Sequence, residues 1–157
     1  MASPFRHEHL VRINDPTIER SMWLTRRQLW NGLRHTVLSP QAMDESIDEA
    51  SVIENADGTL QREIRRGPTT ATDEVRLVTG HSLTICADSR GQFCGSTLTI
   101  RIEEPAPEML FVRFTYEVVG IDDECTEEED NARRSAYQAY DIERVREARL
   151  HARSRGH

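Results

Sequence analysis

The 157-residue chain contains no lysine, and all 20 of its basic side chains are arginine. That absence excludes a Schiff-base lysine, a pyridoxal-phosphate anchor and a phosphate loop ending in Gly-Lys-Ser/Thr. Positive charge is also in the minority. With 27 acidic residues the formal charge is -7 and the pI is near 5.4, so the basic stripe of a nucleic-acid backbone binder is missing. Long apolar runs are missing too: hydrophobic residues make up 37% and mean hydropathy is -0.63. No stretch approaches the ~20 apolar residues that cross a bilayer. Neither nucleic acid nor membrane is therefore expected as a partner. The opening residues, Met1 to His7, lack the apolar stretch of a secretory leader, and a cytoplasmic location is the expectation.

Cysteine is scarce as well, at three residues, with no zinc-ligand or CxxC spacing. Cys86 and Cys94 flank a turn at Ser89-Arg90-Gly91. Leu83 and Ile85 set the inward parity before that turn, and Leu98 and Ile100 set it after. On this parity Cys86 faces out and Cys94 faces in, so bridging them requires a bulge, and reduced thiols are expected. The sequence shows no Ser-His-Asp order, nucleophile elbow or glycine-rich phosphate cradle. No cofactor is expected.

What is present is a clear alternation of periods. Phe5 to Asn14 alternates at period two and closes at Asp15-Pro16, which predicts a first strand. Thr25 with Gln28 forms a capping box, opening a helix whose apolar stripe is Leu29, Trp30, Leu33 and Val37. Ser39-Pro40 ends that helix and starts a second short one, with Pro at its first position. From about Asp48 to Val119 the period returns to two, cut into six strands. The cuts fall at Asn55–Gly58, Gly67-Pro68, Thr79–His81, Ser89–Gly91 and Pro105–Pro107.

Register can be read from two of these turns. Centring one on Gly80 sets Leu77 opposite Leu83 and Val75 opposite Ile85. Centring another on Ala106 sets Ile102 opposite Leu110, Ile100 opposite Val112 and Leu98 opposite Phe114. A last, long helix opens with Thr126 and Glu129 as a second capping box, and acidic residues 127–130 crowd its positive dipole end. Arg144, Arg146, Arg149 and Arg153 lie toward its negative end. From Thr126 to Arg153 it would span roughly 40 Å. Its apolar positions, Ala132, Ala136, Ala139, Tyr140 and Val145, are mostly small.

Strand, two short helices, six antiparallel strands and a long helix make an α+β domain with helices on one face of one sheet. The length fits a single domain over residues 1–157, with an ordered core over 5–153 and a frayed tail over 154–157. A curling sheet under a helix of small residues leaves space for a cavity.

Several segments together resemble the AtaL-like family, named for a member of a fungal acetylaranotin biosynthesis cluster. They are residues 7–15 (HEHLVRIND), 24–30 (LTRRQLW), 62–64 (REI), 98–105 (LTIRIEEP) and 110–117 (LFVRFTYE). The family is largely uncharacterised and falls in the SRPBCC superfamily, with START domains, birch-pollen-allergen-like proteins and polyketide cyclases. The resemblance implies a helix-grip fold: a seven-stranded curved sheet wrapped around the C-terminal helix, with a deep apolar cavity between them. It hands over no catalytic set.

The candidate cavity residues are those whose parity turns them inward. His7 and His9 share a strand face with Phe5, Val11 and Ile13. They could line the cavity and move a proton, though the plainer reading makes one a satisfied core histidine and the other a strand-end residue. No third ligand stands at metal spacing, so no metal is expected. Arg62 and Arg66 share a face with Leu60 and Ile64. They read either as an inward carboxylate clamp or, by preference, as mouth residues whose guanidinium groups reach water. Tyr116 is open between a ligand bond and a backbone bond. Leu98, Ile100, Val112 and Phe114 complete the inner sheet face, and Ala136 and Tyr140 add the helix side. Glu103 and Glu117 fall outward with Arg101 and Arg113, where cross-strand salt links account for them. Trp23, Trp30, Met22 and Met43 gather around the short helices, where a helix-grip protein has its lid.

These features lead to three expectations. The first is a binding protein for a small, mainly apolar ligand, aromatic or polyketide-like. The second is a cofactor-free cyclase, dehydratase or isomerase with a cavity histidine as proton shuttle. The third is an interaction role through a sheet edge or the outer Met109–Phe111 patch. The oligomeric state is open.

Overall fold

The computed structural model describes residues 5–87, 95–119 and 126–154. Strand β1 (Phe5–Arg12) leads through a 3-10 turn to helix α1 (Arg26–Leu38) and a second 3-10 turn at Pro40–Ala42. Six strands follow: β2 (Glu49–Glu54), β3 (Leu60–Arg66), β4 (Thr69–Val78), β5 (Ser82–Ala87), β6 (Ser96–Glu103) and β7 (Phe111–Val118). Helix α2 (Glu127–Ser154) closes the described chain. The strands form one antiparallel sheet in the order β1-β7-β6-β5-β4-β3-β2, so the six later strands make a meander and β1 returns to lie beside the last of them. The element order and the seven strands are those the sequence predicts.

Local chemistry explains the element boundaries. Thr25 Oγ1 accepts from the Gln28 amide while the Gln28 side chain accepts from the Thr25 amide, which starts α1 with two orphan donors satisfied. Thr126 Oγ1 accepts from the Glu129 amide at the start of α2. Gly80, at φ 74°, supplies the left-handed residue of the β4–β5 turn and fixes Leu77 opposite Leu83 and Val75 opposite Ile85, as expected. The β6–β7 connection departs from its expectation by two residues: Leu98 faces Tyr116, Ile100 faces Phe114 and Ile102 faces Val112. The cause is Glu108, held at φ 68°, whose carbonyl accepts from both the Leu110 amide and Asn14 Nδ2. This lengthens the turn beyond the Pro-Ala-Pro triplet. A shift of two preserves parity, so every side chain keeps its face.

The core lies where sheet, α1 and the C-terminal half of α2 meet. Leu29, Leu33, Val37, Leu83, Ile100, Val112 and Phe114 are at most 1% exposed. Trp30 packs among them. Helices α1 and α2 touch at Gly32, where an added Cβ would fall inside the Ala148 backbone. On α2 the stripe differs from the sequence reading. Ala132, Ala136 and Ala139 are exposed, and the buried positions are Asp141, Arg144, Val145, Ala148 and Ala152. The helix turns a partly polar face inward, which a search for apolar residues alone passes over.

The outer sheet face is charged, as parity requires. Arg113 bonds Glu103 and Glu8, and Arg101 bonds Glu103. Phe111 is half-buried under the Arg12 guanidinium, 5.6 Å from its ring, which breaks up the Met109–Phe111 patch. Cys86 is disulfide-bonded, against the expectation of reduced thiols. Strand alternation, on which that expectation rests, is established only from Ser96, where β6 begins. Cys94, Cys125 and the Ser89–Gly91 turn lie outside the described residues. No described helix is long and apolar enough to cross a membrane.

Candidate functional site

The N-terminal half of α2 stands over β3 to β7 and bounds an open-mouthed cavity of about 530 Å³. Its apolar wall comes from Ile64, Ile85 and Leu98 on the strands. Tyr116 and Tyr137 add a stacked pair, 4.0 Å between centroids and 3° from parallel. Its polar groups include three arginines, Arg62, Arg66 and Arg144, with Tyr140 and Asp73.

Arg62 is inward and dry, at 6% exposure. It grips Asp73 through two parallel bonds, Nε to Oδ1 at 2.8 Å and Nη2 to Oδ2 at 2.7 Å, and Nη1 donates to the Val37 carbonyl at 3.0 Å. The preference for a guanidinium in water is thus overturned here. The facing position across the hairpin supplies the carboxylate that burial demands. Arg66 does sit at the mouth, 40% exposed, bonded to Asp44 Oδ2 and Ser46 Oγ. Tyr140 donates to the same Asp44 oxygen at 2.9 Å. Burial pushes the Asp44 carboxyl up, but its bonds from Arg66, Ser46 and Tyr140 outweigh burial and hold it at about 2.

Tyr116 finds neither a free position nor a backbone partner. Its phenol donates to Asp141 Oδ1, and Asp141 Oδ2 lies 3.1 Å from His9 Nδ1. Burial raises the pKa of Asp141, against the opposing pull of those two bonds. Burial, with Asp141 beside it, raises that of Tyr116. His7 Nε2 lies 3.5 Å from Gln138 Nε2, and burial, with His9 and Arg134 near, lowers its pKa.

Of the residues singled out in the sequence, Arg62, Arg66, Leu98, Tyr116, Ala136 and Tyr140 come together around the cavity. Ile100, Val112 and Phe114 lie on the same sheet face but in the solid core under α1. His7 and His9 sit on the β1 edge of the sheet, His9 behind Asp141 as seen from the cavity. Parity gives the face of a sheet residue, not its position along that face.

Sequence reasoning missed Asp73, Tyr137, Asp141 and Arg144. Asp73 was legible as the opposite charge facing Arg62 across Gly67-Pro68. The other three fall on the 137, 141, 144, 148, 152 stripe of α2, whose spacing is helical even though its chemistry is mixed. Arg144 in particular is not a solvated helix-end residue: it is 3% exposed, with Nη1 donating to Thr36 Oγ1 at 3.1 Å. Among the described residues no cluster of three His, Cys, Asp or Glu side chains is placed to hold a metal ion.

A curved seven-stranded antiparallel sheet gripping a long C-terminal helix over a cavity is the helix-grip fold. Within it, the family model described as acetylaranotin biosynthesis cluster protein L matches residues 8–154, and the chain belongs to that family. No curated protein matches the sequence. Among solved structures, the di-domain aromatase/cyclase StfQ of the steffimycin biosynthetic pathway aligns with TM-score 0.70 at 11% identity, over 97% of this chain and 52% of its own. The Zhui aromatase/cyclase from Streptomyces sp. R1128 aligns with TM-score 0.62 at 13% identity, covering 99% of this chain and 97% of its own. Ara h 8.0201 aligns with TM-score 0.56 at 10% identity, covering 97% and 99%. The chain spans about half the length of StfQ, and at these identities the likeness is one of fold.

Proposed function

We propose that the protein binds a small, mainly apolar molecule, aromatic or polyketide-like, in the cavity between sheet and α2. The observation that carries this is the cavity itself. At about 530 Å³ it falls within the roughly 300–1,000 Å³ of small-molecule sites. Its walls are aliphatic and aromatic, with a few polar groups placed to orient a ligand. Burial of apolar ligand area at roughly 25 cal/mol per Å² supplies the affinity. The Tyr116–Tyr137 pair offers a flat ring face beside Leu98, suited to a fused or extended aromatic body.

The experiment is a fluorescence titration with the neutral probe N-phenyl-1-naphthylamine. Saturable, one-to-one binding is expected, and it should be lost when Leu98→Trp or Ala136→Trp fills the cavity from either wall. Non-saturating partition, or binding that ignores both substitutions, would sink the reading.

One observation favours a second reading, a cofactor-free cyclase or dehydratase. Tyr116 bounds the cavity and is chained through Asp141 to His9. In that reading Tyr116 exchanges a proton with the ligand, and Asp141 and His9 carry it onward. Tyr116→Phe would then abolish turnover of a polyketide-like substrate while leaving neutral-probe affinity within about twofold. Turnover that survives the substitution rejects it.

A further inference from the structure

The cavity holds three arginines, and their charges are balanced unequally. Arg62 is answered by Asp73 and Arg66 by Asp44. Arg144 makes no ion pair among the described residues. Asp141, one helical turn away, has both oxygens engaged elsewhere, one by Tyr116 and one by His9. The only nitrogen of Arg144 that donates to a described residue is Nη1, and Nε is buried with no hydrogen-bond partner among the described residues.

A guanidinium presents a carboxylate with two forks, and the side-on fork is made by Nε and Nη2. Arg62 shows that fork in use within the same cavity, since those are the two nitrogens it gives to Asp73. On Arg144 the same fork meets no acceptor. The side chain is nonetheless held in place. Thr36 spends its own hydroxyl hydrogen on the Leu33 carbonyl, so its oxygen is left to accept from Arg144. The Tyr140 ring lies 5.7 Å from the guanidinium carbon. A fixed, dry cation that lines a largely apolar cavity and has no counter-ion among the described residues lacks only its anion.

We propose that the ligand is an acid: a carboxylate, or an oxyanion of the same shape, docks on the guanidinium of Arg144 where it lines the cavity, while the apolar body lies against Tyr137 and Leu98. This rests on the binding reading above and narrows it to mainly apolar monoanions. Arg62 anchors the wall, Arg66 stands at the mouth, and Arg144 selects. Uncharged analogues lose the anion contact and keep the apolar one.

The test displaces N-phenyl-1-naphthylamine with a matched pair, 2-naphthoate and 2-naphthamide, at neutral pH. Wild-type protein should release the probe to the carboxylate at a concentration at least ~10-fold lower than to the amide, and Arg144→Gln should shrink that preference to about twofold or less, each ratio being corrected for the variant's own probe affinity. Arg66→Gln should leave the preference in place. With Arg62 already occupied, that result points to Arg144 even if the Arg144 variant does not fold. If the probe fails to bind wild-type protein, the cavity reading falls and this inference with it. If the probe binds but acid and amide compete equally, or the preference survives Arg144→Gln or vanishes in Arg66→Gln, the inference falls and the cavity reading stands.

Discussion

Arg62 and Asp73 face each other across the β3–β4 hairpin and are joined twice, with only 6% and 12% of their side chains exposed. Removing one partner strands a charge in a dry place, whereas replacing both removes the desolvation cost together with the attraction. Asp73→Ala should cost about 3 kcal/mol in chemical denaturation, and the double variant Arg62→Met/Asp73→Leu should regain most of it. Equal losses in both would show that the pair contributes as a pair and not through the stranded charge.

The Tyr116–Asp141 bond has a pH signature. The folded pKa of Asp141 is raised by burial, so its contribution to stability is present below the unfolded value and is lost as pH rises through the folded one. Tyr116→Phe removes a donor that supports the charged form. Its cost, about 1–3 kcal/mol for a stranded acceptor, should therefore be larger near pH 7 than near pH 4. Denaturant melts of both proteins at the two pH values check this, and a pH-independent difference would contradict it.

Asp44 behaves in the opposite sense. Its folded value of about 2 lies below the ordinary 3.8, so its stabilisation is complete above the unfolded value and disappears as pH falls toward the folded one. Asp44→Asn should lower stability at neutral pH and flatten the acid limb of the stability profile between those two values. Tyr140→Phe, which removes one of its three side-chain donors, should do the same to a smaller degree. An acid limb unchanged in Asp44→Asn would count against the cluster.

How far the site could be read beforehand depends on what kind of information each part needed. Strand spans and inward faces follow from alternation alone, and the α1 cap from Thr25 and Gln28 alone, because each is decided within a few residues. The β6–β7 register is decided by Glu108, whose backbone is held by Asn14 from the far end of β1. No local pattern carries that bond. Arg144 was misplaced for a related reason. Its burial depends on Thr36 and Tyr140, and arginine near a helix C-terminus ordinarily reads as dipole compensation. The histidines share their face with the cavity residues but lie on the edge strand β1, where His7 stands opposite Tyr116, and strand order is invisible at period two.

The α1–α2 contact yields a further expectation. A Cβ on Gly32 would press on the Ala148 backbone, its Cα and carbonyl, and not on its side chain. Gly32→Ala should therefore destabilise by about 1–3 kcal/mol as the helices are forced apart. Trimming the opposite side chain should not help, so Gly32→Ala/Ala148→Gly should melt no higher than the single variant. Recovery in the double variant would show that the crossing can reseat.

The strand order has a consequence for how the chain is made. β1 is synthesised before the other six strands, yet its one neighbour among the described strands is β7, with Phe5 opposite Val118. The rest of the meander can pair strand by strand as it appears, but the opening segment waits, an edge without a mate, until the seventh strand is out. Asn14 then ties the two ends together, taking the Leu24 backbone and the Glu108 carbonyl in one buried amide. Closure of the sheet is thus a late event in the life of each molecule, and the interval before it is when a nascent chain is most exposed to pairing with the wrong strand.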